Sequence, residues 1–174
     1  MATMPQEIEF ETAGDEGADY QSAEFRELMA SVGYLMFYWT LLDRAVLGQI
    51  RQLRMSEGEQ VATSMKVRGT FSERLAEWQA LISQRNRRNM RVGNRLSELS
   101  SQAERLNRKR KLITQHFSGA ADVDGGEEAA IFYSESGVAT ARTSHARLTQ
   151  SELNALIVEV RECCAGIEAL RGMV

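Results

Sequence analysis

Arg110 is the first residue that points to chemistry. It lies on a stripe of apolar residues, Val92, Leu96, Leu99, Ala103, Leu106, Ile113 and Phe117. Their steps of 4, 3, 4, 3, 7 and 4 mark one face of a helix. The step of seven skips one position, and Arg110 occupies it, an always-charged guanidinium where the pattern asks for leucine. Arg105, Arg108, Lys109 and Lys111 surround it, and His116 follows about two turns later. Residues 85 to 111 carry ten bases against two acids, Glu98 and Glu104, a local charge of +8 in a chain whose net charge is −3. That density points to an anionic partner. A plainer reading stands beside it. Arg110 snorkels or pairs with an acid from another helix, and His116 caps the helix C-terminus, where a cation is favoured.

Other chemistries lack their residues. His116 and His145 are the only two histidines, and neither has Glu three residues before it. With no HExxH, CxxC or Glu-x-x-His pattern, no metal and no cofactor are expected. Tyr133-Ser134-Glu135-Ser136-Gly137 lacks the first glycine of G-x-S-x-G, and reads as a turn. No Walker or Rossmann glycine pattern is present. Cys163 and Cys164 are neighbours in a helical pattern and point about 100° apart. They read as small apolar residues in a reducing compartment, hence a cytoplasmic protein.

The elements that must position Arg110 follow from periodicity. The chain has 174 residues, 43% hydrophobic and 26% charged, an ordinary globular balance. Its longest apolar run, Tyr34 to Trp39, is six residues, far below the roughly 20 that span a bilayer. Residues 1 to 24 hold seven acids and no base. We read 1–20 as a disordered acidic tail and 21–174 as a single helical domain; the alternative reading folds the tail over the basic cluster as a polyanion mimic.

Ser22 can cap a long first helix carrying Phe25, Leu28, Val32, Leu35, Trp39, Leu42, Val46, Ile50 and Leu53 at steps of 3 or 4. Met29, Met36, Tyr38 and Leu41 widen that stripe, which predicts contact with more than one helix. Gly33 and Gly48 weaken the helix or admit another backbone, and Asp43 and Arg44 read as surface charges, with a dimer seam as the alternative for Arg44. Thr70 and Glu73 form a capping box for a second helix, with Phe71, Leu75, Trp78 and Leu81 or Ile82 on its face. The pattern dissolves into Gln84-Arg85-Asn86-Arg87-Arg88-Asn89, which reads as a helix end or an arm, and Gly93 predicts a break or kink near there, after which the Arg110 helix runs to about Phe117. Residues 118–129 read as loop, and 131–134 with 138–142 as a β-hairpin. Thr149 and Glu152 cap a last helix faced by Leu153, Leu156, Ile157, Val160, Cys164, Ile167 and Leu170. The fold class is therefore all-α, a bundle of about four helices with a short β-hairpin before the last one.

The segment Arg110-Lys111-Leu112-Ile113-Thr114-Gln115-His116 matches R-x4-6-H. Together with the long apolar first helix, the glycine-containing loop, the hairpin and the closing T-x-x-E-L helix, it resembles HEPN-domain proteins, helical bundles of bacterial toxins and defence systems. The layout is shared over roughly residues 22–172, the motif only at these positions. Where the family usually has a polar residue after the Arg, often Asn, this chain has Lys111. The resemblance implies a homodimer that brings two Arg/His pairs into one cleft and cleaves RNA without a metal. It casts His116 as general base or acid and Arg110 as the holder of the scissile phosphate, with the 2′-hydroxyl as nucleophile. Lys109, on the face of His116, becomes a phosphate contact, and Arg105, Arg108 and Lys111 give backbone affinity for RNA. It also implies an antitoxin or regulatory protein partner. On an ideal helix Arg110 and His116 stand about 120° apart, so Arg reach or a helix end before His116 must bring them together. A reading from another class is a non-catalytic helical dimer, an interaction or regulatory module whose basic stretch binds a partner's acidic surface.

Overall fold

The computed structural model describes residues 23–56, 67–115, 117–122, 129–134 and 145–173. Ser22 and the acidic tail lie outside them. The 3-and-4 spacing of the first stripe produces α1 (Ala23–Ser56), a helix of 34 residues. Leu28, Leu35, Trp39, Leu42, Val46, Ile50 and Leu53 are buried along it, with Phe25 and Val32 half-buried at the edge. The stripe widens in part: Tyr38 packs against the core and Met36 is half-buried, while Met29 and Leu41 are exposed, as are Tyr34 and Phe37. Among the described residues Gly33 and Gly48 admit no other backbone, because none of their atoms lies within 4 Å of where a Cβ would stand at either.

Thr70 opens α2 (Phe71–Arg85) through the expected capping box with Glu73. Phe71, Leu75, Trp78 and Ile82 face the core, so Ile82 rather than Leu81 continues the stripe. The break before the Arg110 helix falls ahead of Gly93. The Asn86 backbone and side-chain amides both donate to the Ile82 carbonyl, at 3.0 and 3.2 Å. Asn89 Oδ1 accepts from the Val92 amide at 3.3 Å, which caps the next helix. That helix, α3 (Met90–Gln115), passes through Gly93. It ends at Gln115, and Phe117 starts a strand.

Three strands follow: β1 (Phe117–Asp122), β2 (Ala129–Ser134) and β3 (His145–Thr149). They form an antiparallel sheet in the order β1-β2-β3. Residues 118–122 are thus strand and not loop. Gly119-Ala120-Ala121 has no apolar alternation to announce a strand, and its pairing is supplied by β2, with Ala120 opposite Ile131. The expected partner of β2 at 138–142 lies outside the described residues; the described partners are β1 and β3. Thr149 closes β3 and caps α4 (Gln150–Arg171) with Glu152.

The molecule is an all-α bundle with a small β-element before the last helix. α1 packs on α2 and α4, and α3 packs on the same two, so α1 and α3 lie diagonally across the bundle. The buried faces meet in one core centred on Trp78, Leu99, Leu153 and Ile167. Each such side chain contributes about 1.5–3 kcal/mol through loss of apolar contact with water. On α4 it is Cys163 that faces this core, while Cys164 is half-buried. At Gly166 the Leu99 side chain of α3 takes the space of a side chain: a Cβ there would meet Leu99 Cδ2 at 2.6 Å. Gln49 ties three helices, accepting from Trp78 Nε1 at 2.9 Å and donating to the Ile167 carbonyl at 2.5 Å.

Candidate functional site

Arg110 takes the stripe position that pattern assigns to leucine, and α1 supplies the reason a charge is tolerated there. Its guanidinium carbon lies 4.9 Å from the centroid of the Trp39 ring, a cation-π contact. Trp39 is itself braced by Phe71, with ring centroids 4.6 Å apart. Arg110 donates to Asn107 Oδ1 at 3.3 Å, one turn back on α3. Its Nε is buried without a partner among the described residues. Burial lowers the pKa of the guanidinium, and Asp43 works against that shift.

Asp43 does not pair with Arg110. It is half-buried rather than a surface charge, and Arg74 of α2 grips both its oxygens, at 2.7 and 2.9 Å. Arg110 is therefore held in place with no carboxylate partner among the described residues. From Asn107 the polar chain continues outward. Asn107 Nδ2 donates to Ser72 Oγ at 3.1 Å, and Ser72 Oγ donates to Glu104 at 2.9 Å. This chain runs beside a groove of about 440 Å³ between α2 and α3, bordered by Ser72, Gln79, Ser100, Ser101, Glu104 and Arg108. Ser100 Oγ is buried there without a partner among the described residues.

The other basic candidates are spread around the helix, as a rotation of about 100° per residue requires. Arg105 points to α4 and is bound to Glu159 at 2.6 Å. Arg108 is exposed at the groove. Lys109 is exposed over a small apolar pocket of Leu112, Ile113, Leu148 and Leu156, and Lys111 is half-buried. His116 lies outside the described residues, so of the motif pair the structure places Arg110.

Several participants were not legible beforehand. Trp39 reads as core by spacing, and its second role as the platform for Arg110 emerges only when α1 meets α3. Asn107 lies three residues before Arg110, a spacing that does put two side chains on one helix face. The Arg85–Asn89 stretch is a capped turn, and it leaves Arg87, Arg88 and, just beyond, Arg91 exposed. Among the described residues these three make no ion pair, while Glu98 and Glu104 are engaged by Arg95 and Ser72. The same residues contain no group of three or more His, Cys, Asp or Glu able to hold a metal, and no helix long and apolar enough to cross a membrane.

Comparison with family models, curated proteins and solved structures returns no match.

Proposed function

We propose that this protein binds RNA at the Arg110 side of α3 and, with His116, cleaves it without a metal. The observation that carries the reading is the state of Arg110: partly desolvated, fixed on Trp39 and Asn107, with an unfilled Nε–H and no carboxylate partner among the described residues. A guanidinium so held matches the oxygen pair of a phosphate, which it grips through two parallel hydrogen bonds. Arg108 beside it and the exposed Arg87, Arg88 and Arg91 add backbone affinity that does not depend on sequence.

In the reaction the 2′-hydroxyl attacks the adjacent phosphorus and the 5′-oxygen leaves. His116, whose ordinary pKa lies near neutrality, takes the proton of the hydroxyl or gives one to the leaving oxygen. Arg110 stabilises the charge that builds on the non-bridging oxygens. DNA, lacking the hydroxyl, is bound but not cut. As a toxin or defence nuclease of the cytoplasm, such a protein calls for an antitoxin or regulatory partner that restrains it, and as a homodimer it carries two Arg/His pairs.

The test incubates RNA with the wild type, His116→Ala and Arg110→Ala in the presence of EDTA. Cleavage by the wild type, lost in both variants while His116→Ala keeps the wild-type Tm, supports the reading. RNA that stays equally intact with wild type and His116→Ala refutes cleavage. A second reading is favoured by the same stacking on Trp39: Arg110 belongs to the fold and the chain is a non-catalytic helical module. Under it, Arg110→Ala lowers Tm and leaves RNA affinity unchanged.

A further inference from the structure

α1 carries a second stripe that the bundle does not use. From Ala23 to Gly48, residues at steps of 4, 3, 4, 3, 4, 3 and 4 are all exposed. Tyr34 keeps 60%, Phe37 57% and Leu41 36% of its surface in solvent. The core stripe of the same helix is offset by two residues, roughly 200° around the axis, so this second seam points away from the bundle. Its strict 3-and-4 alternation is the repeat of a left-handed coiled coil, with Tyr34 and Leu41 in one class of seam position and Phe37 and Arg44 in the other.

We infer that this seam pairs with a second copy of the same chain, antiparallel, about a two-fold axis between Leu35 and Met36. The sequence is complementary to itself in that register. Tyr34 meets Phe37 of the second copy, so two aromatic pairs lie next to the axis. Ala30 meets Leu41, a small residue opposite a large one. Glu27 meets Arg44, the acid and the base of the seam, and neither makes an ion pair among the described residues. Ala23 meets Gly48, where the open space above Gly48 lets the backbones converge. Each of these contacts occurs twice, as an isologous interface requires. A parallel pair would set Glu27 against Glu27 and Arg44 against Arg44, so charge selects the antiparallel arrangement.

The seam of 26 residues is about 39 Å long at 1.5 Å per residue. The four half-exposed rings contribute roughly 100 Å² each, about a third of the ~1,200 Å² at the low end for a stable interface. The flanks of the helix supply the rest, and the dimer is of modest, concentration-dependent strength. Because α3 lies diagonal to α1, each basic helix stays on the outer side of the pair. The pairing is read from α1 alone and does not rest on RNA binding.

The experiment is sedimentation of the full chain over a concentration series to about 100 µM, above the micromolar range expected of a small interface. The mass should rise from 19.5 kDa towards twice that value. Tyr34→Glu with Phe37→Glu should keep the chain monomeric at an unchanged Tm, since both side chains are exposed. Glu27→Arg and Arg44→Glu should each weaken the dimer roughly fivefold or more, and the two together should restore it. A wild type that stays monomeric throughout overturns the inference, as does a dimer that survives the double aromatic variant. Charge variants that weaken singly but fail to restore in combination overturn the register.

Discussion

Gln49 is the sharpest place to test how the bundle is held. It is 4% exposed and sits between α2 and α4. Gln49→Met keeps the length and much of the volume of the side chain but removes both hydrogen-bonding groups. The Ile167 carbonyl retains its own helix as a partner. The Trp78 indole N–H, on a side chain with no solvent exposure, loses its acceptor. An orphaned buried donor costs about 1–3 kcal/mol, and the apolar replacement offsets part of that. A net loss of about 2 kcal/mol corresponds to a fall in Tm of about 4–8 °C for a chain of this size. Gln49→Glu supplies a second reading of the same contact. Its new carboxyl, when protonated, can still donate to the Ile167 carbonyl; when ionised it is buried beside that carbonyl. Its folded-state pKa is therefore raised above the unfolded value of about 4.3. Stability should be near the wild type below that pH and should fall as pH rises through the interval between the two pKa values. Circular dichroism melts between pH 3.5 and 8, with Trp fluorescence as a second probe, measure both. A Gln49→Met protein that melts within about 1 °C of the wild type refutes the reasoning.

Other consequences are equally direct. Burial pushes the Cys163 thiol up to about 12, and burial also raises Cys164, so neither is a ready nucleophile. Iodoacetamide at pH 8 should leave Cys163 unlabelled in the native state, label Cys164 slowly, and modify both after denaturation, as read by mass spectrometry. The Thr70 backbone and hydroxyl hold the Glu73 carboxyl below its ordinary 4.5. That stabilisation is present above 4.5 and is lost as pH falls through the lower folded value, so Glu73→Gln should flatten the acid limb of a Tm-against-pH curve. Thr149→Ala removes the side chain that caps α4 and should lower stability by about 1 kcal/mol in a urea titration. Replacing Arg87, Arg88 and Arg91 by Gln should make RNA binding less salt-dependent, the log–log slope falling by about 2 if all three meet phosphates of a single strand. An unchanged slope removes that turn from the interface.

The helices were legible because their information is local. Two T-x-x-E boxes and four apolar stripes announce α2, α4 and the buried faces of all four helices, and none of these depends on a distant partner. The first strand was hidden for the opposite reason: Gly119-Ala120-Ala121 becomes a strand only by pairing with β2. The helix end in the 84–89 stretch is legible because the apolar pattern dissolves there; what spacing does not give is its cause, since asparagine side chains, and not Gly93, end one helix and start the next. Cys164 does pack at the edge of the core, but Cys163 is the fully buried one of the pair, a choice between neighbours that spacing alone leaves open. Arg110 stood out from sequence as a charge in an apolar slot. Trp39, Asn107 and the diversion of Asp43 to Arg74 required three helices to be brought together, which no spacing within one helix can encode.

Gly166 leaves a bare spot on α4 that α3 uses. The tips of Leu99 and Arg95 lie where its missing Cβ would be, at 2.6 and 3.1 Å. Both are the far ends of flexible side chains, so a methyl group placed there is met first by new rotamers of Leu99 and Arg95. Arg95 can swing into solvent, whereas Leu99 is fully buried and must find its new rotamer inside the packed core. A residue with no side chain thereby decides which rotamer a leucine on another helix can hold.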